Sequence, residues 1–187
     1  MPPTLREDIT GYLSVLRDTA QYNLSRIDEE IAALAATDPA DPIAYLTCRG
    51  LVHGYVGMHG PAIRDLNAAA SLPEGKTPRI LSKLAQMHLQ RGHTDDLEAA
   101  ESLSKRALEV SGFPTQDYWL AHQNLGIVNH LLGRKEIALE HAKAAQAIQD
   151  DPRTVQLLKK IEEIDRPDIP WTGAAAVAMS RAEPMPY

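Results

Sequence analysis

A chain of 187 residues with 44% apolar side chains is long enough to bury one ordinary core unaided. Its one cysteine, Cys48, excludes an internal disulfide and fits a reducing compartment. Aromatic residues are only 5%, so alanine and leucine must carry the packing, which favours close-packed helices over a β-sandwich. The net charge of −6 argues against a general binder of nucleic acid or anionic membrane. That excess is local, since residues 1–41 hold 3 basic and 8 acidic side chains against 16 and 17 in the rest.

Residues 1–41 form the first segment. Ile9, Leu13, Leu16, Ala20, Leu24, Ile27, Ile31 and Leu34 recur at spacings of 3 and 4, as one long helix or a helix pair requires. Thr4 with Glu7 makes a capping-box pattern, and TDPADP (37–42) ends the segment. Such a stripe serves either to cover the open face of the next helices or as a dimerisation seam. No basic run precedes an apolar one here and no apolar stretch nears about 18 residues, so we expect a soluble, cytoplasmic protein without membrane insertion.

Residues 42–165 contain a repeat. Gly50, Gly57, Ala62 and Ala69 are spaced 7, 5 and 7, and Gly126, Gly133, Ala138 and Ala145 repeat that spacing. Between them lie Ala85, Gly92, Ala100 and Ala107, spaced 7, 8 and 7, with the extra residues in the loop His93–Glu98. Each unit splits into two amphipathic runs at its glycine. The small residues permit close helix approach, and Gly133 supplies a turn with φ > 0. Asp117 is placed to cap the first run of the last unit. Asp151-Pro152 then reads as an N-cap and first-turn proline for a capping helix carrying Val155, Leu158, Ile161 and Ile164. The Pro/Ala-rich stretch 166–187, with Trp171, Met179, Met185 and Tyr187, reads as a tail that packs on this or a neighbouring chain.

These small residues, turn glycines and alanines resemble the tetratricopeptide repeat family over about 110 of 187 residues. Leu46, Leu81 and His122 stand where the family carries a large aromatic, and the prolines ending each unit are shifted or absent. The resemblance implies an all-α fold. It would be a right-handed α-α superhelix of antiparallel helix pairs, with the N-terminal helical segment before it and the capping helix after it. It also implies that the first helices line a concave groove. Its peptide-binding residues would be Thr47, Leu51, Tyr55, Arg79, Lys83, Gln86, Gln123, Asn124 and Ile127, with Asn124 matching an asparagine that bonds a ligand backbone.

Other candidates yield to structural readings. His53 and His88 occupy equivalent places, with Asn129 in the third unit, and read as packing residues, not metal ligands. His122 and His130 lie two turns apart on one helix, whereas His59, His93 and His141 read as loop or outer-face residues. GLVHGYVGMHG (50–60) lacks the lysine and hydroxyl of a phosphate loop, and Cys48 has no evident base. The expectation is therefore a non-catalytic scaffold, adaptor or chaperone-like assembly factor for a protein or peptide, needing no cofactor or metal. The alternatives are a self-assembling, homo-oligomeric structural subunit and, third, an enzyme or small enzyme subunit.

Overall fold

The structure is a computed structural model that describes residues 12–18, 20, 23–37, 41–93 and 95–163. The expected Thr4–Glu7 capping box, Ile164 and the tail residues Trp171, Met179, Met185 and Tyr187 lie outside them. The described residues are all-α, with no strand among them. The chain divides into two compact units at Lys76/Thr77, so the first hairpin belongs with the N-terminal helices and not with the later hairpins.

The first unit holds α1 (residues 12–18), α2 (Leu24–Ala35), α3 (Pro42–Tyr55) and α4 (His59–Ser71). The N-terminal stripe meets α3: Leu13, Leu16 and Ile27 are buried with Cys48 and Val52, and Ile31 and Leu34 pack beside them. Burying each such aliphatic side chain stabilises by roughly 1.5–3 kcal/mol. α3 starts where Asp41 accepts from the Ile43 and Ala44 amides and Pro42 takes the first turn. It ends at Gly57, in the left-handed region at φ 84, where the Met58 amide donates to the His53 carbonyl at 2.8 Å and the Gly57 amide to the Gly54 carbonyl at 3.1 Å. This six-to-one plus five-to-two pair is a Schellman closure. α4 then folds back over Gly50, where a Cβ would stand 2.9 Å from Leu66 Cγ.

The second unit holds α5 (Pro78–Arg91), α6 (Asp96–Glu109), α7 (Trp119–Leu131), α8 (Lys135–Ile148) and α9 (Pro152–Glu163), each packed against the next. Thr77 caps α5 through its hydroxyl, with Pro78 after it, and Asp151 accepts from the Arg153 amide ahead of α9. α7 has no side-chain cap, because Asp117 lies in the short 3-10 turn Thr115–Tyr118 that precedes it. At Gly133, φ 71, the Schellman pair recurs: Arg134 amide to Asn129 carbonyl at 2.8 Å, Gly133 amide to His130 carbonyl at 3.0 Å. At Gly92, φ 69, a single bond from the Gly92 amide to the His88 carbonyl replaces it, so the longer loop takes the simpler αL closure. Ala138, Ala142 and Ala145 of α8 are fully buried, and a Cβ on Gly126 would stand 3.1 Å from Leu157. α9 is phased differently from its apolar pattern. Thr154, Leu157 and Ile161 face inward and Val155 is exposed, because the Thr154 hydroxyl receives Trp119 Nε1 at 3.3 Å and Gln123 Nε2 at 3.1 Å.

Candidate functional site

The residues that the family resemblance assigns to a groove part into two sets. Leu51, Gln86, Gln123, Asn124 and Ile127 are buried. Asn124 is 1% exposed, and its amide donates to the Ser82 carbonyl at 2.9 Å, joining α7 to α5. Gln123 ties α7 to α9 through Thr154. Both side chains already hold hydrogen-bond partners within the second unit, which is where a free ligand-binding amide was expected. The physical cause is that α5 and α9 pack on the polar side of α7. Arg79 is exposed, and Thr47, Tyr55 and Lys83 are half-buried.

The histidines are placed more specifically than their spacing shows. His53 is buried between two partners, with Nδ1 2.9 Å from Asp65 Oδ2 and Nε2 2.8 Å from the Tyr12 hydroxyl. Arg49 grips the same acid, Nε to Oδ2 at 2.8 Å and Nη2 to Oδ1 at 2.5 Å, and its guanidinium lies over the Tyr45 ring and bonds the Tyr45 hydroxyl. Burial pushes the Asp65 carboxyl up, but the His53 and Arg49 bonds outweigh it, so its pKa lies below the usual value.

His88, at the equivalent position, has Nδ1 2.6 Å from Asp96 Oδ1. Arg91 makes two further bonds to that acid, and the His93 amide donates to Oδ2 at 2.7 Å. Burial again opposes ionisation, yet Arg91, His88 and the amide pull Asp96 down to about 2. Asn129, the third equivalent, instead donates to the Leu125 carbonyl within its own helix at 2.8 Å.

His141 corrects the outer-face expectation. It is half-buried, its Nδ1 3.1 Å from Nδ1 of His122, so one ring must donate and the other accept. Burial holds both pKa values below the ordinary range, with His141 adding to the effect on His122. His130 is also lowered by burial, then by Lys135 and Lys160, and its Nδ1 has no hydrogen-bond partner. Cys48 is 3% exposed, donates to the Glu30 carbonyl at 3.3 Å, and is pushed up to about 12 by burial and then by the Glu30 charge. A thiol so protonated is a poor nucleophile. Among the described residues no group of three or more His, Cys, Asp or Glu is placed to hold a metal ion, and no helix is long and apolar enough to cross a membrane.

Sequence reasoning missed Asp65 and Asp96. The available signal was a carboxylate in each second helix after a first helix bearing both histidine and arginine. Compared with known proteins, the chain matches no family model, no curated protein and no solved structure. What stands on its own geometry is that the described residues are all-helical and that neighbouring helices within each unit pack on one another, compatible with a helical repeat.

Proposed function

We propose that the chain is a non-catalytic scaffold of tetratricopeptide type that holds a protein or peptide partner. The observation that carries this reading is the recurrence of a left-handed glycine at the end of each first helix. Gly57, Gly92 and Gly133 take the left-handed conformation at the same place in three successive hairpins, and Gly50, Ala85 and Gly126 each stand two helix turns before them. Within the second unit, where two such hairpins pack on one another, helix faces lie side by side, which suits partner recognition. Of the groove candidates on α5, Arg79 is exposed and Lys83 half-buried, and their charge would suit an acidic partner segment.

The test is affinity capture from the native cell with the whole protein and with an Arg79→Glu/Lys83→Glu variant, followed by titration of the captured partner. We expect the double reversal to weaken binding about tenfold or more. Unchanged affinity would remove these residues from the interface. A second reading, self-assembly, draws on Val15 and Leu24, exposed at 61% and 42% on the N-terminal helices. Sedimentation of a Val15→Asp/Leu24→Asp variant tests it: an unchanged oligomeric state removes the seam.

A further inference from the structure

The first unit contains a cleft of about 490 Å³ whose walls include Tyr12, Arg49, His53 and Asp65. Its polar groups are spent on one another: Arg49 and His53 hold Asp65, and Tyr12 holds His53. In the second unit Asp96 is held by His88 and Arg91 in the same way. A guanidinium already balances each acid, so neither cluster has room for a further cation.

The hairpin of α7 and α8 differs. His122 on α7 and His141 on α8 bring their Nδ1 atoms to 3.1 Å, and no arginine or carboxylate bonds either ring among the described residues. The ring centroids stand 5.3 Å apart with the planes inclined by 40°, so the two nitrogens meet nearly head-on. Both rings are half-buried, which leaves the pair partly open to solvent. The separation matches a metal bite. Zinc–imidazole bonds of about 2.0–2.1 Å, meeting at roughly 100°, place two nitrogens about 3.1 Å apart.

We propose that His122 and His141 form a two-nitrogen site for a late first-row divalent metal ion of the zinc class, with water in the remaining positions. The ligand type fits, since imidazole suits such ions whereas Mg²⁺ and Ca²⁺ take oxygen. Entry of the ion turns each ring about its Cβ–Cγ bond, so that the two lone pairs converge on one point instead of facing each other. The proton now held between the nitrogens passes through water to Nε2 of the ring that carried it. Both rings then present a bare Nδ1 and carry hydrogen on Nε2, and no proton is lost overall. Glu140 acts on both rings and favours a cation there. Lys105 acts on His141 and opposes one, but its ammonium lies 2.6 Å from Glu101 Oε1. Two nitrogens are half of a structural zinc set, which puts the Kd near about 1–100 µM. An ion bound there staples the two helices of one hairpin. The site shares no residue with the Arg79/Lys83 surface and stands or falls separately from it.

The experiment is calorimetric titration of the whole, untagged, chelator-stripped protein with Zn²⁺, and with Mg²⁺ for comparison. We expect Zn²⁺ to bind with a Kd of about 1–100 µM, and excess Mg²⁺ neither to bind nor to compete. His122→Asn and His141→Asn should each weaken Zn²⁺ about tenfold or more, because one imidazole is left. His93→Asn, at an exposed loop histidine, should leave the affinity unchanged. Nitrogen-15 spectra of the rings should show zinc on Nδ1 of both, with each ring settled in its Nε2–H form. These spectra are read on the unsubstituted protein, so they decide the matter even where a variant misfolds in circular-dichroism melting. Absence of zinc binding, full affinity in either variant, or coordination through Nε2 each overturns the site. Equal affinity for Mg²⁺ overturns the nitrogen-ligand assignment.

Discussion

His53 and His88 occupy one repeat position in two different units, and each backbone carbonyl accepts the bond that closes its helix. Each ring also meets an aspartate that an arginine grips. Their surroundings nevertheless diverge. Asp96 is the first residue of α6, directly after the lengthened loop, so it also accepts the His93 amide of that loop and is 1% exposed. Asp65 sits further into α4, where no loop amide reaches it, and its histidine continues to Tyr12 and the cleft. The repeat position therefore fixes where the imidazole goes, while the loop decides whether the network is sealed or left open. Asn129 completes the series, since with an amide at that position the bond turns inward to Leu125.

The largest effect that would break this contrast comes from Asp96→Ala. It strands Arg91, His88 and the His93 amide around a buried hole, and we expect a loss of about 3–5 kcal/mol in urea unfolding of the second unit. Asp65→Ala should cost less, about 1–3 kcal/mol, because Arg49 keeps its Tyr45 stack and the cleft admits water. Equal losses would refute the distinction between sealed and open networks.

Acid sharpens the comparison next. His122, His130 and His141, all of the second unit, have lowered pKa values, so the folded state binds fewer protons than the unfolded one. Their stabilisation is present above the ordinary imidazole value of about 6.5 and is lost as pH falls through it. Asp96, at about 2, contributes a second loss, starting below the ordinary carboxylate range of about 4. Hydrogen exchange at pH 7 and pH 5.5 should therefore show protection falling in α7 and α8 before α3 and α4. The reverse order would count against the histidine assignment. The smallest effect is Tyr12→Phe, which removes one hydroxyl from an accessible bond and should lower stability by about 1 kcal/mol or less in the same urea series.

The hairpins were legible in the sequence because their geometry is restrictive. A left-handed closure and a close helix approach select glycine or alanine, and those residues recur at fixed spacing. The networks were not legible, because Asp65 and Asp96 do not stand at equivalent positions and an aspartate in a charged stretch reads as solvated. His141 was misplaced because the buried stripe of α8 is alanine, leaving the larger ring beside it to look external. The internal partner of Asn124 was not legible because nothing in its own helix reveals that the Ser82 carbonyl lies within reach. The phase of α9 was hidden for a related reason: a threonine holds the inward place that a valine seemed to claim.

Cys48 has a practical consequence. The chain has one thiol, and the fold keeps it protonated, covered by α2 and bonded to the Glu30 carbonyl. A maleimide cannot react with it until α2 lifts from α3, so every modified molecule records one opening event. The alkylation rate, divided by that of the same thiol in urea, becomes a gauge of how often the N-terminal helices detach. Because the chain holds no second cysteine, a single added mass per molecule reports that one site.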